Sequence, residues 1–180
     1  MRVAILLTLL AAASSGAGQT NIKSTAYARS ANVDAIIPCR GEELSVRHVT
    51  DDAAMGGHNL IDYAFRNNSS SPCTLTGYPG FELLDKAGNV RPRARAINSR
   101  RLPGDETREP PQPVTLEPGQ EAGFRVYYNS GGAGYMGKPC PVSRKVRIVP
   151  PGSRRIFELR EEIRSCRSVL ISAVHKPPSQ

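Results

Sequence analysis

The sequence predicts a single all-β domain, an antiparallel β-sandwich, and three observations support this prediction. Most of the chain after residue 38 consists of short segments in which apolar and polar residues alternate. Glycine and proline separate these segments every few residues. All four cysteines lie in this part of the chain, and an even number of cysteines is typical of disulfides. Short strands with frequent turns favour a sandwich or barrel over helices packed on a parallel sheet.

The first 17 residues have the layout of a secretory signal peptide. Arg2 precedes an apolar run at residues 3–13, and the small residues Ser15 and Ala17 occupy the −3 and −1 positions of a cleavage site. An apolar run of about 11 residues is too short to span a membrane, which takes roughly 20 residues. We therefore expect an exported protein, periplasmic or extracellular, that is soluble and has no transmembrane segment after cleavage. Residues 18–37 are polar and unpatterned, and they predict a flexible N-terminal arm.

Nine segments carry the strand signal within residues 38–176, the predicted sandwich domain. Each segment alternates between two faces or is rich in β-branched and aromatic residues. In chain order they are ELSVRHV (43–49), NLIDYAFRN (59–67), CTLTG (73–77), FELLD (81–85), PVTLEPG (113–119), EAGFRVYYN (121–129), RKVRIVP (144–150), IFELR (156–160) and SVLISAV (168–174). Residue types that favour turns stand between most of them. This order indicates one immunoglobulin-like domain built from two antiparallel sheets.

Two stretches do not follow the strand pattern. Residues 91–113 are polar and rich in proline, which predicts a long mobile loop. Residues 156–166 fit two structures, because Ile156, Leu159 and Ile163 have helical spacing while the same stretch also fits a strand followed by a charged turn. The sequence leaves helix or strand open there. Residues 177–180 form a short tail.

The cysteines predict two disulfides in an oxidising compartment. They are Cys39, Cys73, Cys140 and Cys166. Four cysteines allow three pairings, and we favour Cys39–Cys73 with Cys140–Cys166 because each bond joins cysteines that are neighbours in sequence. Zinc binding fits less well, since zinc ligands usually come in pairs two to four residues apart and the gaps here are 34, 67 and 26 residues.

Four blocks of the sequence carry a resemblance. The central block FRNNSSSPCTLTGYPGFELLDKAGN (65–89) lies between CRGEELSV before it and VTLEPGQEAGFRVYY and CPVSRKVRIVPPGS after it. Together they resemble a family of bacterial exported domains, domain of unknown function 4232 (DUF4232), whose signature contains Asn-x-Ser and Cys-x-Leu-x-Gly-x-Pro. The resemblance covers about residues 38–175 and implies an exported all-β domain without an established activity. Many members carry a lipid-modified cysteine near the start; this chain does not, so membrane tethering is not implied.

Basic residues are concentrated in the predicted loop of a chain whose formal net charge is +8. They are Arg91, Arg93, Arg95, Arg100 and Arg101. The first three would point the same way in an extended chain, because side chains alternate. Such a surface would attract an anionic envelope polymer or lipid headgroups, with salt-sensitive binding. We expect no nucleic-acid binding, because no recognition motif is present and only Tyr127 and Tyr128 stand side by side for base stacking.

The sequence predicts no catalytic group and no cofactor, so we expect a protein that is not an enzyme. The chain has three histidines and no G-x-S-x-G nucleophile motif. The adjacent carboxylates at 51–52 and 161–162 lie near predicted loops or a charged turn, as solvated charges do. The G-x-G-x-x-G match at 132–137 precedes prolines and a cysteine rather than a helix, and therefore indicates a hairpin loop and not a nucleotide site.

The predicted function is a non-catalytic binding or cell-envelope-associated module with a basic surface. A small periplasmic copper-binding carrier is one alternative, because Met55 and His58 are suitable copper ligands, although two ligands in a glycine loop do not form a site. A secreted hydrolase is the other alternative.

Overall fold

The computed structural model describes residues 37–99, 102, 110–131, 139–165 and 167–176. The predicted signal peptide and tail lie outside these residues, as does almost all of the predicted arm. The described residues contain no α-helix; they form strands and two short 3₁₀ turns at Gly41–Glu43 and Met55–Gly57. The strands are β1 (Leu44–Ala54), β2 (His58–Asn67), β3 (Cys73–Leu75), β4 (Gly80–Leu84), β5 (Val90–Asn98), β6 (Val114–Leu116), β7 (Glu121–Asn129), β8 (Val142–Ser143), β9 (Lys145–Val149), β10 (Phe157–Leu159), β11 (Ile163–Arg164) and β12 (Val169–Ile171).

The strands form a sandwich-like fold, which confirms the predicted fold class. One sheet runs in the order β1-β2-β7-β12-β5-β4-β9-β10. Strand β5 divides this sheet into two groups of strands, because residues 96–98 pair with β12 while earlier residues pair with β4. The first group is β1, β2, β7 and β12 with the end of β5, and the second group is the start of β5 with β4, β9 and β10. Two small sheets, β3–β6 and β8–β11, complete the described fold. The pairings between these strands are antiparallel except for β12–β5, which is parallel. An isolated bridge between Pro38 and Thr74 is parallel as well. The described residues contain no helix long and apolar enough to cross a membrane.

The core lies between the two groups of strands and is built on the alternating face of β2. Tyr63 and Phe65 are fully buried there, and both rings stack on Phe124 of β7 at centroid distances of 5.3 and 5.2 Å. Phe81 of β4 meets Tyr63 from the other side at 5.8 Å. Burial of each such ring contributes roughly 1.5–3 kcal/mol. Residues 61, 63, 65 and 67 of the second predicted strand therefore face the core, as the period-two pattern predicts.

The stretch that follows β2 is held by one asparagine and one disulfide. The Asn67 side chain is fully buried; its Nδ2 donates to the carbonyls of Ser71 and Leu116, and its Oδ1 accepts from the backbone N–H and the hydroxyl of Ser69. These bonds close the polar Asn-Ser loop before β3. The first residue of β3 then forms the disulfide Cys39–Cys73, the pairing favoured from the sequence. Cys140 is also disulfide-bonded, whereas Cys166 lies outside the described residues, so the Cys140–Cys166 pairing stays a prediction.

The expected loop at 91–113 is wrong at its start, because residues 90–98 form strand β5. Tertiary pairing with β4 and β12 produces this strand despite its polar composition. Its register with β4 is irregular: Glu82 is opposite Arg95 and Leu84 is opposite Val90, so the stretch between them is longer on β5. Pro92 falls in that irregular stretch, where its missing N–H removes no regular ladder bond.

The open choice at residues 156–166 is settled in favour of strands. Phe157–Leu159 forms β10 on the edge next to β9, and Ile163–Arg164 forms β11 beside β8. Ile163 is fully buried, whereas Ile156 is exposed, so the helical spacing of the apolar residues does not produce one apolar face.

Candidate functional site

A β-bulge in β1 brings two polar side chains to the same face of this strand. His48 lies opposite Tyr63 of β2, but the register shifts after it, so that Asp51 lies opposite Ile61. Because Tyr63 and Ile61 are two residues apart, they share one face of β2, and their partners His48 and Asp51 share one face of β1. His48 is partly buried there, whereas Asp51 is exposed. A regular strand would place residues three apart on opposite faces. Bulges commonly re-aim side chains in this way near functional sites.

The His48 cluster consists of His48, Asp51, Tyr63, Tyr128 and Glu161. The imidazole lies between two carboxylates: Nε2 is 3.0 Å from Asp51 Oδ1, and Nδ1 is 3.4 Å from Glu161 Oε1. The Asp51 contact has ion-pair distance without hydrogen-bond geometry. The Tyr63 ring lies 5.7 Å from the imidazole, and its buried hydroxyl has no hydrogen-bond partner among the described residues. His48 therefore connects the Asp51 carboxylate with the Glu161 carboxylate.

The surroundings of the cluster disfavour additional negative charge. Burial raises the pKa of Glu161, the charge of Asp51 raises it further, and His48 opposes both effects. Burial also raises the pKa values of Tyr63 and Tyr128, and the two carboxylates contribute to both shifts. Glu161 therefore takes up a proton at a higher pH than an exposed glutamate does.

Glu161 also lines an open cleft of about 560 Å³. Its walls are the β4–β5 turn, the β8–β9 junction and the segment between β10 and β11. The lining residues are Asp85, Lys86, Ala87, Gly88, Arg144, Lys145, Arg160, Glu161 and Glu162. Asp85 holds the β4–β5 turn, because its carboxylate accepts hydrogen bonds from the backbone N–H groups of Ala87 and Asn89. These hydrogen bonds, with that to Asn89 first, lower the pKa of Asp85.

The cleft contains charges that are paired and charges that are not. Arg144 lies 2.9 Å from Glu162, and Lys145 lies 3.6 Å from Glu158. Lys86 and Arg160 form no ion pair and no side-chain hydrogen bond within the described part of the chain. We call these two residues the cleft cations. Both residues line the open cleft, and their charges are the ones most available there to an anionic ligand.

The structure places the predicted arginine surface only in part. Arg91 is half-buried, and its guanidinium donates from Nη1 to Ser143 Oγ and from Nη2 to the Ser165 carbonyl, both at 2.9 Å. This side chain therefore joins parts of the domain rather than standing free on its surface. Arg93 and Arg95 lie in β5, but their side chains are outside the described part. Arg100 and Arg101 are likewise outside the described residues, so the surface formed by these four stays a prediction.

The weak copper candidates do not meet a third ligand within the described residues. The His58 ring stacks on Tyr127, and its Nδ1 contacts the Tyr127 hydroxyl. Met55 begins a 3₁₀ turn, and its side chain is outside the described part. No group of three His, Cys, Asp or Glu side chains in the described residues is arranged to hold a metal ion. In the His48 cluster the two carboxylates lie against different ring nitrogens, which does not give three converging ligands.

The sequence profile of the family described as domain of unknown function (DUF4232) matches residues 39–174. The chain belongs to this family. The resemblance seen in the sequence is thus confirmed, and the DUF4232 match spans both the His48 cluster and the cleft. No curated protein and no solved structure matches the chain.

Sequence reasoning missed most of this DUF4232 site. It treated Glu161 and Glu162 as solvated charges and placed His48 in a strand without a partner. The turn signal at Lys86-Ala87-Gly88 could be read from the sequence. The sequence could not show which turns meet around the cleft, because β4, β9 and β10 become neighbours only through long-range pairing.

Proposed function

We propose that this DUF4232 domain is an exported, non-catalytic binding module whose cleft binds anionic groups of envelope polymers or lipid headgroups. The observation that carries the proposal is the presence of the cleft cations, Lys86 and Arg160, in a cleft whose other basic residues are paired with acidic ones. An anion entering the cleft would give these two side chains the ionic partners that they do not have within the described residues.

The expected energy of such binding is modest and sensitive to salt. Two opposite unit charges 4 Å apart attract each other by about 1 kcal/mol in water and by about 4 kcal/mol at the effective dielectric constant of a protein surface. Several such contacts along a polymer add up, and added salt screens each of them. The overall charge of +8 favours the same class of partner, because it attracts anions over a longer range.

Export is supported by two features of the chain. The first 17 residues have the signal-peptide layout, and the Cys39–Cys73 disulfide is of the kind that persists in oxidising compartments. An exported basic domain would meet anionic polymers and headgroups at the envelope. A reporter protein with residues 1–17 fused to its N-terminus tests this part of the proposal separately, because the reporter should then be secreted.

Binding of the mature protein to dextran sulfate and to phosphatidylglycerol vesicles tests the proposal. The two arms distinguish a soluble polyanion from a lipid headgroup as the source of the anion. We expect the K86S/R160S double variant to bind the preferred anion roughly tenfold to thirtyfold more weakly, at about 1 kcal/mol per lost cation. The matched control is R154S/K176S, which removes the same charge at two residues that do not line the cleft.

The two double variants decide the role of the cleft. Equal losses in both would assign binding to net charge alone and would refute the cleft as the site. Binding that does not weaken with salt would refute the electrostatic basis. The copper alternative is tested by titration of Cu²⁺ into the wild type and into an M55A/H58A variant. The hydrolase alternative is tested by an activity screen of the E161Q variant against the wild type. A glycoside hydrolase would need a second carboxylate facing Glu161 across the cleft, and Asp85 is already held by its own turn.

A further inference from the structure

Glu161 links the His48 cluster to the cleft. Its carboxylate touches His48 Nδ1 at 3.4 Å, and the residue lines the cleft directly after the cleft cation Arg160. The side chain is only 15% exposed. Its backbone N–H donates to the Arg144 carbonyl at 3.2 Å, which fixes the segment against the β8–β9 junction. A change of charge at Glu161 therefore affects both the His48 cluster and the cleft.

Ionisable groups surround Glu161 from every element packed against it. His48 and Asp51 approach from β1, Tyr63 from β2 and Tyr128 from β7. Across the cleft stand Asp85 and Lys86 of the β4–β5 turn and Arg144 and Lys145 of the β8–β9 junction, while Arg160 and Glu162 flank it in sequence. The Asp85 carboxylate already accepts hydrogen bonds within the β4–β5 turn, and the Glu162 carboxylate already forms an ion pair with Arg144. This leaves Glu161 as the carboxylate whose protonation changes the unpaired charge of the cleft.

We propose that protonation of Glu161 controls the cleft, so that anions bind more tightly as the pH falls. The inference rests on the proposed anion-binding function. A proton taken from solvent by the Glu161 carboxylate removes a negative charge next to Arg160. The change makes the cleft more attractive to an anion.

The environment of Glu161 supports this direction. Burial and the negative charge of Asp51 raise the pKa of its carboxyl group. The protonated form is therefore reached at a higher pH than for an exposed glutamate. A bound anion would raise that pKa again, because it places more negative charge nearby. Anion and proton then bind cooperatively, and each must strengthen the other by the same factor.

Dextran sulfate is a suitable probe because its sulfate esters keep their charge throughout the range tested. Affinity is measured with the mature protein at about pH 7.5 and about pH 5, where exposed carboxylates are still largely ionised. For the wild type we expect about threefold to tenfold tighter binding at the lower pH, the effect of one unit charge at several ångströms. The E161Q variant, which mimics the protonated residue, should bind tightly at both pH values and show less than half of the wild-type change.

The control variant is E162Q, which removes one negative charge from the same cleft and releases Arg144. It should bind more tightly than the wild type at both pH values but keep the wild-type ratio between them. A wild-type ratio in E161Q would overturn the inference while leaving the anion site intact. Wild-type protein that binds neither dextran sulfate nor phosphatidylglycerol vesicles at either pH would overturn the proposed function and this inference together; if it binds only the vesicles, the same pH ratios are measured with them. Circular dichroism of each variant at both pH values establishes that the compared proteins are folded.

Discussion

Replacement of Arg91 by alanine should destabilise the domain, although sequence reasoning placed this residue on a ligand-binding surface. Its guanidinium connects β5 with Ser143 of β8 and with the carbonyl of Ser165 just after β11. Both serines are fully buried. Burial lowers the pKa of Arg91, with Asp85 opposing this effect, so the charge is held where solvation is reduced. The R91A variant leaves two buried acceptors without this donor.

The magnitude follows from those two contacts. A hydrogen bond to a charged group contributes about 1.5–3 kcal/mol, and water can replace part of it in a half-buried site, so we expect R91A to lose about 2–4 kcal/mol of unfolding free energy. The R91K variant keeps the charge but cannot span both acceptors with the geometry of a planar fork, and should lose about half as much. R154A is the control: Arg154 is exposed and makes no ion pair in the described part of the chain, so its change should stay within about 0.5 kcal/mol.

Urea unfolding followed by far-UV circular dichroism measures these differences, and this signal is preferred because the chain has no tryptophan. Unfolding should shift to lower urea with an unchanged slope in R91A, which reports a change in stability rather than in compactness. A change of less than about 0.5 kcal/mol in R91A would refute the structural role. If that variant also lost its dextran sulfate binding, the surface role expected from the sequence would be restored.

Three further predictions concern stability. The C39A/C73A variant should lose about 3–4 kcal/mol in thermal or urea unfolding, because the bond closes a loop with a sequence separation of 34 residues; a loss below about 1 kcal/mol would contradict this. The N67A variant should lose about 3 kcal/mol or more of unfolding free energy, because the carbonyls of Ser71 and Leu116 lose their buried hydrogen-bond donor. An unfolding midpoint equal to that of the wild type would show that water replaces the side chain. Arg47 lowers the pKa of Glu121, so their pair stabilises the fold above the unfolded-state pKa of a glutamate and this contribution is lost as the pH falls through the lowered value. Between neutral pH and about pH 3 the wild type should therefore lose up to about 1 kcal/mol more stability than R47A, the limit for an ion pair whose arginine is exposed to solvent. Equal losses would show that the pair contributes nothing.

The strands that could be predicted are those whose sequence alternates. The pattern of residues 59–67 predicts β2 almost to its ends, and residues 121–129 coincide with β7. Strand β5 could not be found in this way, because its polar, proline-containing sequence has the composition of a loop and only its neighbours β4 and β12 make it a strand. The Cys39–Cys73 bond was favoured on nearness in sequence, and the structure brings the two Cα atoms to 4.8 Å.

The candidate site illustrates the same limit. A spacing of three residues in a strand places His48 and Asp51 on opposite faces, and only the bulge reverses this. The adjacent pair Glu161-Glu162 has the sequence of a solvated turn, yet one of the two is largely buried beside an imidazole while the other pairs with Arg144 on the surface. Nothing in the local letters distinguishes the two glutamates.

The sequence by itself determined the all-β class, the family and the positions of most strands, because alternation, turn residues and motif spacing are local properties of the chain. Only the tertiary structure decided which charges remain unpaired, how the cleft is assembled and why Arg91 is internal. These depend on contacts between residues far apart in the chain, such as Glu161 with His48 and Arg91 with Ser143. The energy of a charge is set by its neighbours and its exposure to water, and the fold supplies both.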